Sequence, residues 1–231
     1  MNEVLRQEKK FLISFDQYYR LTHYFEQVLH MDSHSFHDGY EIRSLYFDSI
    51  DDRDYQEKED GIELRRKIRL RNYGSKSSFA MLEMKQKQGQ LQKKRSLQMN
   101  KEDALCLING DYSVLLKYAE AFALECYGLM NMHCYLPKTA VSYQRKAFVA
   151  KENKIRITFD HHIVCNESYF NIFDDQLIQN SVLDPYMVVL EVKYNGFLLS
   201  YIKDMIDECD KSETSVSKYC LARHIQKHYL F

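Results

Sequence analysis

Apolar and polar residues alternate along several short stretches of the chain. That two-residue period marks strands with unlike faces. In Arg65-Arg66-Lys67-Ile68-Arg69-Leu70-Arg71, the residues Lys67, Arg69 and Arg71 share one face and Ile68 and Leu70 the other. From Met81 to Lys87, Glu83, Lys85 and Lys87 stand opposite Leu82 and Met84. The same reading joins Tyr143 with Arg145, and sets Arg156, Thr158 and Asp160 against Ile155, Ile157 and Phe159. Glu191 and Lys193 oppose Leu190 and Val192, and Glu8 and Lys10 oppose Lys9 and Phe11.

Around these stretches the pattern predicts a strand at Leu5 to Leu12 and an amphipathic helix over 15–30. Ser14 and Gln17 have the spacing of a capping box there. Asp38-Gly39 ends a loop before a strand at Tyr40 to Phe47, and charged residues 51–61 read as a short surface helix or turn. Leu64 to Tyr73, Ser78 to Gln86 and Leu91 to Met99 form an antiparallel meander with a Gln88-Gly89 turn. Asn100 suits the N-cap of a helix starting at Lys101, and a second helix is predicted over about 114–129. Strands at 138–150, 154–163 and 186–194, with a turn at Asn153, precede helices at 198–209 and 218–228. The expected fold class is α+β with about eight strands, in one domain spanning 1–231.

Each charged face, taken alone, reads as the solvated side of a sheet. Recurring on at least six strands with a bias to Lys and Arg, such faces would make a self-repelling surface. A closed antiparallel β-barrel tunnel relieves this: the charged faces line a polar lumen and the helices pack outside on the apolar faces. A lumen so basic suits a polyanion, and removal of one cation, Arg69 or Arg145, is expected to leave the fold almost intact. The inward carboxylates Glu83 and Glu191 are then read as ligands of a hard divalent cation.

Composition narrows the picture. The net charge is -1, so charge distribution matters more than its sum. Mean hydropathy is -0.51, and no run reaches ~18 apolar residues. Residues 1–6 lack a basic-then-apolar signal pattern, so a soluble, cytoplasmic protein without a membrane segment is expected. The six cysteines contain no C-x-x-C pair and read as small hydrophobes in a reducing compartment. His30, His34 and His37 read as loop histidines, His161-His162 as a rim or surface pair, and Asp51, Asp52, Asp54, Glu57, Glu59 and Asp60 as a solvated cluster. Neither a glycine-rich phosphate loop nor a Ser-His-Asp signature occurs.

Eight segments together resemble the VTC-type polyphosphate polymerase domain, within the triphosphate tunnel metalloenzymes (CYTH-like). They are 6–11, 42–48, 65–71, 82–85, 141–145, 155–160, 190–194 and 217–219. The resemblance implies a tunnel of about eight strands and transfer of the ATP γ-phosphoryl group to polyphosphate, with Mn²⁺ or Mg²⁺. It implies that Arg69, Arg71, Lys85, Arg145 and Arg156 serve the reaction and that Lys10, Lys93 or Lys94, Tyr143, Ser217 and Lys218 contact phosphate. Lys67 and Lys193 join the phosphate-binding set from their places on the cationic faces, and Glu191 is the implied metal ligand, with Glu83 beside it as the second candidate. The related hydrolases carry E-x-E-x-K in the first strand. Here only Glu8 and Lys10 are in place, which favours the polymerase branch. A metal-dependent triphosphatase or nucleotide hydrolase and a non-catalytic polyphosphate-binding module stay open. RNA binding ranks last, because the inward faces carry few aromatics apart from Tyr143, so no nucleic-acid partner is expected.

Overall fold

A computed structural model of the protein describes residues 6–35, 39–89, 91–177, 179–209, 212–213 and 215–228. The fold is α+β and dominated by antiparallel strands. In chain order the elements are β1 (Arg6–Ser14), α1 (Phe15–Val28), β2 (His30–Met31), β3 (Tyr40–Ser49), α2 (Arg53–Glu59), β4 (Leu64–Asn72), β5 (Phe79–Gln88) and β6 (Leu91–Asn100). There follow α3 (Lys101–Ile108), a 3₁₀ helix (Tyr112–Lys117), α4 (Ala121–Met132), β7 (Tyr135–Val149), β8 (Arg156–Asn166) and β9 (Asn180–Ser181). The chain ends with β10 (Met187–Asn195), α5 (Ser200–Asp207), β11 (Ser212–Glu213) and α6 (Lys218–His228). Three of the eleven described strands, β2, β9 and β11, have two residues each, too few to display a period in sequence.

The chain divides into two compact units, neither continuous in sequence. The first comprises residues 1–41, 143–163 and 183–217, the second 42–142, 164–182 and 218–231. In the first unit the pairing runs β11–β1–β10–β8, all antiparallel, with Lys10 opposite Glu191 and Glu191 opposite Thr158. Phe11, Ile13, Ile157, Phe159, Leu190 and Val192 face a core closed by Leu21 and Phe25 of α1 and Ile202 and Ile206 of α5. In the second unit the pairing runs β3–β4–β5–β6. There Leu45, Ile68, Leu70, Leu82, Met84 and Leu97 pack with Leu107 of α3, Leu115 of the 3₁₀ helix and Cys126 and Met130 of α4. Helices thus cover the apolar strand faces of each unit, as alternation requires. Among the described residues, neither run of paired strands closes on itself.

Local signals in the sequence act as expected at two helix starts. The Ser14 hydroxyl accepts the Gln17 N–H at 3.3 Å, and the Gln17 side chain accepts the Ser14 N–H at 2.9 Å. Asn100 accepts the Asp103 N–H at 2.7 Å. The single helix expected over 114–129 is instead two. Tyr118 turns extended at φ -95, ψ 132. Its hydroxyl donates to Asp103 at 2.8 Å, which anchors the chain where the helix would continue. The apolar periodicity carries across this break and conceals it.

Gly39 carries a geometric demand of its own. It adopts φ +86, and a Cβ there would come within 2.3 Å of the Arg145 carbonyl oxygen, so the backbone lies against β7. Leu5, His37 and Asp38 lie outside the described residues.

Removing the α1 cap tests this local account. Ser14→Ala is expected to cost about 1 kcal/mol of stability, read as a lower urea midpoint with unchanged slope. An unmoved midpoint would deny the cap its role.

Candidate functional site

In the second unit, β4, β5 and β6 present one polar face built by register. Lys67, Lys85 and Lys94 form one row, and Arg69, Glu83 and Ser96 the next, with Tyr46 of β3 opposite Arg69. Arg71 stands opposite Ser44. Lys93 pairs with Gln86 and shares its parity with Leu97 and Met99, so it points away from this face. Between the two lysines named at this position, only Lys94 joins the row.

Glu83 organises the cations. Arg69 reaches its Oε2 through Nε at 2.7 Å and Nη2 at 2.6 Å, Arg71 approaches at 3.9 Å, and Lys94 pairs with Oε1. Burial by itself would raise the Glu83 carboxyl; Arg69, Arg71 and Lys94 outweigh it and hold the group at about 2. Both oxygens are engaged by cations, three in all, which a divalent metal at Glu83 would have to displace. Its place in the fold is that of a counter-ion that orients guanidiniums.

Tyr46 belongs to this face and was not legible as a functional residue. Arg69 Nη1 donates to its hydroxyl at 3.4 Å. Its ring stacks on Tyr219 at 5.1 Å, and the Lys67 ammonium lies over both rings at 5.4 and 5.6 Å. Burial would raise the Tyr46 phenol, yet the charges of Arg69, Lys67 and Arg71 bring it down to about 8. Tyr219, in the first turn of α6, donates to the buried Asp48 at 2.6 Å. Asp48 also accepts the N–H groups of Asp54 and Tyr55. Lys218 is the first residue of α6, and Ser217 precedes it.

In the first unit, the polar face of β1, β10 and β8 carries Glu8, Lys10, Glu191, Lys193, Arg156, Thr158 and Asp160. Arg145 of β7 makes a two-pronged pair with the fully buried Asp160, at 2.6 and 2.7 Å, and lies over the Tyr143 ring at 5.3 Å. Burial opposes the Arg145 charge, but Asp160 more than compensates and the guanidinium holds its proton more firmly than usual. Arg156 pairs with Asp32 at 2.5 Å and donates to Tyr40 at 3.3 Å. Lys10 reaches Glu8 at 3.4 Å and the Val216 carbonyl at 3.2 Å. The Lys193 ammonium pairs with Glu191 and lies 4.0 Å from Glu8.

That ammonium between two carboxylates bears on a metal. Glu8 and Glu191 offer the hard carboxylate oxygens that Mn²⁺ or Mg²⁺ takes, and a metal there would displace Lys193 from both and Lys10 from Glu8. Among the described residues no group of three or more His, Cys, Asp or Glu side chains gathers to hold a metal. Phosphate oxygens and water would therefore supply most of its shell.

Three other readings change. The faces are not arrays of unmatched cations, because Glu83, Asp160, Glu191, Glu8 and Asp32 neutralise them. Asp54 is buried, not solvated. It accepts from Tyr135 at 2.8 Å, and burial with nearby Asp48 pushes it up to about 7. His161 is buried against Phe15 and Tyr18, and burial with neighbouring His162 lowers it to about 4. The six cysteines are free thiols.

The VTC domain family matches residues 5–226, and the chain belongs to that family. No curated protein matches the sequence. Among solved structures, a "putative adenylate cyclase" from Vibrio parahaemolyticus is similar with TM-score 0.51 and 12% identity, over 94% of this chain and 97% of that one. Another "putative adenylate cyclase", from Bacillus halodurans, gives TM-score 0.48 and 13% identity over 88% of each chain. At 12% identity the likeness to the Vibrio parahaemolyticus structure concerns the fold alone. No helix is long and apolar enough to cross a membrane among the described residues.

Two outcomes check this electrostatic account. With ¹³Cζ-labelled tyrosine, one resonance should titrate near pH 8 and vanish in Tyr46→Phe. If every tyrosine titrates near its ordinary value of about 10, the cationic setting of Tyr46 is wrong. Because the folded group is lowered from 10.0 to about 8, its stabilising contribution is complete above pH 10 and is lost as pH falls through 8. Arg145→Ala strands the Asp160 carboxylate and should cost about 3–5 kcal/mol, measured by urea unfolding. A loss below about 1 kcal/mol, the scale of an exposed ion pair, would restore the sequence expectation that this cation is dispensable to the fold.

Proposed function

We propose that the chain is a metal-dependent phosphoryl transferase that moves the γ-phosphoryl group of ATP onto a polyphosphate chain. The proposal includes the closed β-tunnel that the family resemblance implies, with the cationic faces toward its lumen. The observation that carries the reading is the set of arginines already aimed and held by carboxylates: Arg69 and Arg71 about Glu83, and Arg145 on Asp160. Held guanidiniums lose little freedom on meeting a phosphate, and phosphoryl transfer depends mainly on positioning and charge stabilisation.

The roles follow from chemistry. The bond from the γ-phosphorus to its bridging oxygen breaks, and a terminal oxygen of the growing chain bonds that phosphorus; ADP keeps the electron pair. The attacking oxygen is already ionised, so no general base is needed. Glu83, held at about 2, stays an anion throughout and gives no proton. Arg69, Arg71, Arg145 and Arg156 orient phosphate oxygens, whereas Lys10, Lys67, Lys85, Lys94, Lys193 and Lys218 act as point charges. Tyr143, Ser217 and Lys218 complete the phosphate contacts implied by the family. A Mn²⁺ or Mg²⁺ ion held by Glu191 with Glu8 would neutralise charge on the phosphate oxygens.

Incubation with ATP and Mn²⁺ tests this. Long-chain polyphosphate plus ADP is expected, and Lys85→Gln should lower its formation on the order of a hundredfold. Inorganic phosphate alone would make the chain a triphosphatase. Cyclic nucleotide with pyrophosphate would give it the activity that its Vibrio parahaemolyticus neighbour is named for. Saturable binding without turnover would make it a phosphate-chain binding module.

A further inference from the structure

Thr158 lies at the centre of the polar face of the first unit. It sits mid-strand in β8, opposite Glu191, which in turn sits opposite Lys10. Arg156 and Asp160 flank it on the same face of β8. The residue is 2% exposed, and its hydroxyl oxygen has no hydrogen-bond partner among the described residues.

A buried hydroxyl without a partner forfeits about 1–3 kcal/mol of hydration. Valine has nearly the same shape, suits a strand at least as well and would avoid that loss. Both Asp160 oxygens receive Arg145, and Oε1 of Glu191 holds the Lys193 ammonium. The hydroxyl proton thus has no acceptor among the described residues, on a face where each cation is paired with a carboxylate. Among the buried side-chain atoms lacking a partner in the described residues, it is the one hydroxyl. A metal ion would use the oxygen lone pair and leave the proton stranded. An oxyanion accepts the proton directly, in the place where Lys10, Lys193 and Arg156 would draw one.

We propose that Thr158 is a further binding residue of this site, its hydroxyl donating to a nonbridging oxygen of the bound phosphate chain. The proposal rests on the phosphate-binding reading above and assigns one contact within it. It also explains why a polar residue occupies a strand position where apolar packing would be more stable.

The test measures melting and tripolyphosphate affinity for the full chain, Thr158→Val and Thr158→Ser, each with chelator and with Mn²⁺. Thr158→Val should melt at the wild-type temperature or above, yet bind tripolyphosphate at least tenfold more weakly with chelator as well as with Mn²⁺. Thr158→Ser should bind within about threefold of wild type, since it keeps the donor. Wild-type affinity in Thr158→Val overturns the proposal. So does a marked drop in its melting temperature, which would mean the hydroxyl already has a partner in the free protein. Affinity lost only when Mn²⁺ is present would make Thr158 a metal ligand and also overturn it. A wild-type chain that binds no tripolyphosphate fails the phosphate reading itself, and that outcome is distinct from all the others.

Discussion

A charge withdrawn from water must be matched, and on a strand the nearest candidates stand on a neighbouring strand or two residues along its own face. That constraint governs both polar faces of this protein. Glu83 sits within reach of Arg69, Arg71 and Lys94 because β5 lies between β4 and β6 in the register that places them together. Asp160, fully buried, is matched by Arg145, which meets both of its oxygens. A one-residue slip in either unit would turn these side chains into the apolar cores and bring Ile68, Leu70, Ile157 or Phe159 out of them.

The same matching prepares the arginines for a guest. A guanidinium has five donors, and a carboxylate engages two of them while fixing the plane. The remaining donors keep a set direction. A phosphate chain meeting Arg69 or Arg145 then finds a group whose rotamers are already restricted. The network also sets local acidity: Glu83 remains ionised, and Tyr46 is drawn toward ionisation by the cations around it. These properties belong to the folded arrangement and would exist in no single strand.

Much of this architecture is readable from alternation, because a period of two reports faces directly. The parity of Lys67, Arg69 and Arg71 against Ile68 and Leu70 survives unchanged in β4. The caps at Ser14 and Asn100 are equally direct, since their chemistry is local. What alternation cannot report is which residues meet across strands. The pairing of Glu83 with three cations, the choice of Lys94 over Lys93, and the burial of Asp54 beneath Tyr135 depend on register and on tertiary partners. Tyr46 escaped notice because tyrosine in a strand ordinarily signals packing. Thr158 was placed on the polar face, but only the structure reveals that its buried hydroxyl lacks a partner among the described residues. The break at Tyr118 was invisible for a similar reason: a side-chain bond to Asp103, fifteen positions earlier, overrides a continuous apolar pattern.

Arginine side-chain NMR tests the central claim most directly, because it reads individual guanidiniums as tripolyphosphate is added. The account predicts that the Nε–H signals of Arg69, Arg71, Arg145 and Arg156 shift together and saturably. Arg43, which donates to the Ile172 and Asp174 carbonyls, and Arg95, which pairs with Glu125 on the opposite side of β6, should stay in place. Shifts confined to Arg43 and Arg95, or no saturable shift at any of the six, would contradict it.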